Sequence, residues 1–103
     1  MSKSAVKKRP PVHPGEILQK EFMAEYDLSV NKVALALRVP ATRIFEIVNG
    51  RRSITADTAV RLARYFGTTP EFWLNLQIRF ELEMAEDQRA KVDKEVQPIS
   101  APA

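Results

Sequence analysis

Apolar positions recur at helical spacing in five stretches of this chain, each bounded by proline, glycine or a short polar residue. Ile17, Leu18, Phe22 and Tyr26 fall on one face of a helix that begins at Pro14 and ends near Asp27 and Leu28. Proline suits a first-turn position because the missing N–H would have no partner there. Val30, Val33, Ala34 and Leu37 follow at i, i+3, i+4 and i+7, behind Ser29 as N-cap. Ile44, Ile47 and Val48 give the buried stripe of a third short helix, closed by Asn49-Gly50. Ala59, Leu62, Ala63 and Phe66 repeat the pattern after Thr55, the predicted cap, with Asp57 in the first turn and Gly67 at the end. Thr69 and Pro70 open a fifth helix running to about Ala85. From Glu86 the periodicity fades. No stretch alternates as a strand does, so the pattern predicts an all-α fold.

The second and third helices are short and joined by a tight turn at Arg38 and Val39. This is the architecture of a helix-turn-helix, whose second helix enters the major groove and offers its early residues to base edges. Arginine stands at the turn where glycine is usual. On the third helix, Ile44, Ile47, Val48 and Ala41 form the core side, and Thr42, Glu46 and Asn49 lie opposite, flanked by Arg43 and Phe45. Thr42 suits a base or a phosphate, Arg43 a guanine or a phosphate, and Glu46 a cytosine amine. Arg51 and Arg52 stand just past the helix, where a phosphate backbone would run. Pro40 at the first helical position leaves Val39 as N-cap, a residue with no capping group. The amides of Ala41 and Thr42 are then open to a phosphate.

The fifth helix carries two apolar stripes. Trp73, Leu76, Phe80 and Met84 form one; Leu74, Ile78 and Leu82 form the other. Asn75, Arg79 and Glu83 separate them on one side, and Gln77 and Glu81 on the other. Two stripes need two partners. One is the chain's own core. The second, Leu74, Ile78 and Leu82, is assigned to a homodimer interface with two-fold symmetry.

Composition sharpens this picture. The chain has 103 residues, enough for one domain, and a formal charge of +3. Lys3, Lys7, Lys8 and Arg9 make the start basic, and Arg38, Arg43, Arg51 and Arg52 do the same for the middle. Residues 81–97 hold six acids against three bases. Such asymmetry points one surface at a polyanion. The organisation predicted is a basic flexible arm (1–11), a domain (12–85) and a polar, acidic, disordered tail (86–103). Cysteine is absent, so disulfides and thiolate metal sites are excluded. No apolar run is long enough to span a membrane, and the basic start is not followed by a signal-peptide core. A cytoplasmic protein without a membrane partner is expected. One histidine, no clustered ligands and no glycine-rich phosphate loop leave nothing on which to build an enzyme, a metal site or a cofactor site. His13, beside a helix start, reads as a structural residue.

Four motifs, taken in order, resemble the HigA antitoxins, a VapI-like branch of the XRE-type helix-turn-helix regulators. They are His13-Pro14-Gly15-Glu16-Ile17-Leu18; Asn49-Gly50-Arg51-Arg52 with Ser53-Ile54-Thr55; Arg61-Leu62-Ala63 with Phe66-Gly67; and Phe72-Trp73-Leu74-Asn75-Leu76-Gln77. The resemblance spans roughly residues 12–85. It implies a five-helix, lambda-repressor-like domain that dimerises through its last helix. It also implies an antitoxin that binds a palindromic operator of its own operon and neutralises a HigB-like mRNA endonuclease. Carried over by position, the DNA-binding residues are Ala41, Thr42, Arg43 and Glu46, with Ser29 and Arg51 on the phosphates; Arg52 joins the candidate DNA-binding residues from its place just past the helix, not from the resemblance. The alternative is a stand-alone repressor of the same class with no toxin partner.

Overall fold

In a computed structural model, residues 10–100 are described, and all regular structure among them is helical. The elements are α1 (Pro14–Ile17), a π-helical turn continuing it (Leu18–Met23), α2 (Val30–Leu37), α3 (Ala41–Val48), α4 (Ala56–Phe66), α5 (Pro70–Met84), a 3-10 turn (Glu86–Gln88) and α6 (Arg89–Glu95). The five predicted helices are present, and α6 is added to them. Helix α2 packs on α3 and on α4, α4 on α5, and α1 on both α3 and α5.

Each predicted stripe from α2 to α5 contributes to one core. Val33, Ala34, Leu37, Ile44, Ile47, Ala59, Leu62 and Trp73 are buried there, joined by Ile54 from the loop between α3 and α4. The valine, leucine and isoleucine side chains among them contribute about 1.5–3 kcal/mol each when fully buried. Trp73 satisfies its indole N–H by donating to Thr68 Oγ1 at 2.8 Å. Phe22 packs against it, with Phe66 and Phe72 alongside.

The first helix departs from its predicted face. Leu18 and Met23 are buried, five residues apart, while Tyr26 is exposed. The cause is the π turn, in which the Ala24 amide reaches back to the Gln19 carbonyl at 3.0 Å. A wider turn places residues five apart on one side, so a stripe read at the α-helical period drifts off the core.

Four successive elements end in the same bond pattern. An amide in the loop that follows reaches five residues back: Leu28 to Met23, Val39 to Ala34, Arg51 to Glu46, and Thr68 to Ala63, at 2.8–3.1 Å. This closure needs a left-handed residue just before that amide. Gly50 and Gly67 supply it with φ of 73° and 74°, and Asp27 and Arg38 supply it with φ of 54° and 60°. Arg38 thus takes the backbone conformation of the glycine that the helix-turn-helix turn lacks.

At position 15 the reason for glycine is space. A Cβ built on Gly15 would overlap the carbonyl oxygen of Ile47, so the start of α1 presses directly on the backbone of α3.

Two capping expectations are corrected. The N-cap of α3 is Pro40 itself, not Val39, because Pro40 has ψ 144° and stands outside the helix. Thr55 occupies the N-cap of α4 but its side chain makes no capping bond. The cap at Ser29 accepts from the Lys32 amide at 3.1 Å, and that at Thr69 from the Phe72 amide at 3.1 Å.

Past α5, every described residue from Ala85 onward is exposed. The sequence pattern predicted no element there, yet Glu86–Gln88 and Arg89–Glu95 are helical. Arg89, Ala90, Lys91 and Glu95 are good helix formers, and Arg89 meets Glu86 at 3.9 Å. A helix that buries nothing shows no apolar period, which is why the pattern is silent. Gln97–Ser100 forms no helix or strand; positions 1–9 of the arm and 101–103 of the tail lie outside the described residues.

Candidate nucleic-acid interface

The start of α2 and the outer face of α3 enclose a shallow depression lined by Ser29, Val30, Asn31, Ala41, Thr42 and Phe45. The α2–α3 turn brings Ser29 beside Ala41 and Thr42, although they stand twelve or more positions apart in the chain. All six residues except Val30 are exposed. Asn31 was not singled out in the sequence, although it stands on the polar side of α2 two positions past its cap; a helical projection of α2 would have found it.

At the rim of this depression α3 begins without a side-chain cap. The Arg43 amide bonds back to the Pro40 carbonyl at 3.0 Å. The amides of Ala41 and Thr42 have no acceptor among the described residues. Proline in place of valine at the N-cap leaves this consequence intact, because neither side chain has an acceptor to offer.

Two arginines of the face are tied to carboxylates. Arg52 donates through Nε to Glu46 Oε1 at 2.8 Å, pinning the loop past α3 to the helix. Glu46 is half-buried, and one of its oxygens is already engaged. Arg43 leans the other way and donates through Nη1 to Asp57 Oδ2 at 2.9 Å, in the first turn of α4. Asp57 also accepts from Arg61 Nε, at 3.1–3.2 Å. Arg61 Nη1 reaches the Leu37 carbonyl at the end of α2, at 2.9 Å. The Arg43 bond first, and the Arg61 bond second, hold the Asp57 carboxyl below the usual carboxylate range. Arg51 is exposed and makes no side-chain hydrogen bond or ion pair among the described residues. Neither Asp57 nor Arg61 stood out as a site residue in the sequence, because their partners lie 14 and 24 positions away.

His13 supports the face from behind. Its Nδ1 accepts from the Gly15 amide at 2.9 Å, capping α1. That leaves the proton on Nε2, with the backbone of Arg52 near enough to favour the protonated ring. The ring meets Phe80 of α5 edge-on, with centroids 4.8 Å apart. Burial lowers its pKa, opposed by the backbone of Arg52.

On the far side of the molecule's longest helix, Ile78 and Leu82 lie exposed in a groove with Pro10, Pro11, Asn75, Arg79 and Glu83. Leu74, of the same stripe, is half-buried against its own core. Gln77, read as a polar divider between stripes, is buried; its Oε1 accepts from the Ile54 amide at 2.8 Å. Among the described residues no three metal-ligating side chains come together, and no helix is long and apolar enough to cross a membrane.

Comparison with known proteins places this geometry. Residues 19–73 match the helix-turn-helix family model. The chain is 48% identical over 84 residues to virulence-associated protein I of Dichelobacter nodosus, covering 82% of this chain and 78% of that protein. It is 35% identical over 92 residues to antitoxin HigA-1 of Vibrio cholerae, covering 89% and 87%. Among solved structures, the Pseudomonas aeruginosa antitoxin HigA with the higBA promoter superposes with a TM-score of 0.82 at 42% identity, covering 87% of this chain and 99% of that one.

Proposed function

The chain belongs to the HigA family of XRE-type helix-turn-helix proteins, and from that premise we propose that it is the antitoxin of a type II toxin–antitoxin pair. In this reading it is a cytoplasmic homodimer that binds a palindromic operator of its own operon and neutralises a HigB-like mRNA endonuclease.

The observation that carries the DNA half is the depression at the start of α2 and α3. Ser29, Asn31 and Thr42 offer neutral donors along it, and the Ala41 and Thr42 amides stand uncapped at its rim. Free amides at a helix start bind a phosphate without any side-chain rearrangement. Thr42, Arg43 and Glu46 face base edges, while Ser29, Arg51 and Arg52 face the backbone. The relative from Pseudomonas aeruginosa, solved with its promoter, supports the same use of the fold.

The homodimer is supported by Ile78 and Leu82, two large apolar side chains left exposed on one face of α5. Leu74 continues their stripe toward the core. Two recognition helices related by a two-fold axis, about 34 Å apart, meet two half-sites of a palindrome. Several phosphate contacts per protomer make the affinity fall steeply with salt.

The test is co-expression with the adjacent small open reading frame. Growth arrest by that frame alone, its rescue by this chain, and co-purification of the two support the antitoxin reading. A shift of its own upstream DNA with no toxic neighbour identifies a stand-alone repressor instead.

A further inference from the structure

Asp57 stands where a DNA-binding protein gains nothing from a negative charge. It lies against the recognition helix, and near a polyanion a carboxylate repels. Charge alone therefore says that Asp57 weakens binding to every duplex. Its contacts say something further. One carboxylate oxygen holds Arg43 Nη1 at 2.9 Å, and the same carboxylate holds Arg61 Nε at 3.1–3.2 Å. Arg61 in turn donates at 2.9 Å to the Leu37 carbonyl. Three helices are therefore linked through one carboxylate: the end of α2, the first turns of α3, and the start of α4. Asp57 itself sits at the positive end of the α4 dipole, which keeps it ionised.

Arginine has five N–H donors in a rigid fork, and Asp57 engages one of those of Arg43. The remaining donors keep a defined direction. An untethered arginine loses rotamer freedom when it binds, and one already anchored does not. We propose that Asp57 is a positioning residue for DNA specificity: it anchors the Arg43 guanidinium so that the recognition helix presents it in one direction, giving up general affinity for discrimination between sequences. The proposal rests on the reading of the α2–α3 face as the DNA-binding surface.

The opposing signs of the two effects make the test sharp. Binding of wild type, Asp57→Asn, Arg43→Ala and the double variant is measured by fluorescence anisotropy at one salt concentration. The probes are the duplex immediately upstream of its own operon and a scrambled duplex of equal length. Thermal melting of each variant checks the fold. Asp57→Asn is expected to bind the scrambled duplex as tightly as wild type or more tightly, and the upstream duplex about tenfold more weakly, as for the loss of a good base contact. In the Arg43→Ala background the same substitution is expected to leave the ratio unchanged, because nothing remains to be aimed. Equal tightening on both duplexes makes Asp57 merely a repelling charge and overturns the proposal. So does equal weakening on both, or a ratio that still moves without Arg43. If wild type itself does not discriminate the two duplexes, the DNA reading fails first and takes the proposal with it.

Discussion

The side chain of Gln77 on α5 accepts a hydrogen bond from the backbone amide of Ile54, 23 residues earlier, at 2.8 Å. Both residues are buried, and the bond fastens the loop past α3 to α5, the longest described helix. Gln77 Nε2 continues to Glu81 at 2.8 Å and Ser53 at 3.3 Å, so both ends of the amide are used. Gln77→Leu keeps the volume but leaves the Ile54 amide without an acceptor. It is expected to destabilise by about 1–3 kcal/mol, the cost of an unpaired buried donor, as read from the midpoint of urea unfolding.

Gly15 and Gly67 should respond oppositely in size to the same substitution. Gly15→Ala drives a methyl group into the Ile47 carbonyl, and a backbone atom cannot swing aside. A loss of about 3 kcal/mol or failure to fold is expected, at the upper end of overpacking costs. Gly67→Ala meets nothing within 4 Å and carries only the penalty of its positive φ, about 1–2 kcal/mol. Thermal melts of the two variants side by side decide this.

His13 should make stability depend on pH. Its pKa is lowered from 6.5 in the folded chain, chiefly by burial. The unfolded chain therefore takes up the proton first as pH falls. Stability is full above the unfolded value and declines through that value toward the lower folded one, then levels off. The physical event is loss of the Nδ1 acceptor at the start of α1. His13→Asn keeps a capping oxygen without a titrating group. Melting temperatures compared between about pH 8 and pH 5 should fall more steeply for the wild type than for this variant, and parallel curves would refute the assignment.

Arg38 holds the left-handed position after α2 with φ 60° and ψ 44°. Glycine has no Cβ to strain there, though it loses more freedom on folding. Arg38→Gly is expected to raise stability by about 1 kcal/mol, visible as a higher melting temperature. A lower one would mean that the arginine side chain supplies more than its backbone costs.

Ile78 and Leu82 are 54% and 65% exposed, so a charge at either should leave the protomer folded. Leu82→Glu is expected to halve the mass seen by light scattering at micromolar concentration while leaving the helical content unchanged. A wild type that is already monomeric at that concentration would remove the dimer from the proposed function.

Helix positions were legible because their signals are local. Ser29, Gly50, Gly67, Thr69 and the prolines mark ends within a few residues of the stripes they bound, and the stripes repeat at one period. The π turn defeated this reading at Tyr26 and Met23, since a single extra residue per turn shifts the buried face. Helix α6 was missed for the opposite reason: it buries nothing, so it leaves no pattern. At the candidate site, Ser29, Ala41 and Thr42 follow from the turn between two helices, and they do line one depression. The bonds of Arg43 to Asp57, Arg61 to Leu37 and Gln77 to Ile54 span 14 to 24 residues. Such pairs depend on how helices are laid across one another, and a charge or an amide carries no mark of its distant partner.

The closure shared by the π turn, α2, α3 and α4 bears on how the chain reaches this fold. Each chain reversal is fixed by bonds between residues no more than five apart. The corners therefore form without waiting for any distant contact, and hydrophobic collapse has only to bring together segments already bent the right way. Mean contact separation is what slows small domains, and helical domains rich in local contacts fold in about microseconds to milliseconds. The long-range bonds of Arg61 and Gln77 belong to the last stage of that process. Substitutions at these two residues should mainly speed unfolding, whereas changes at the corners Asp27, Arg38, Gly50 and Gly67 act on the rate of folding itself.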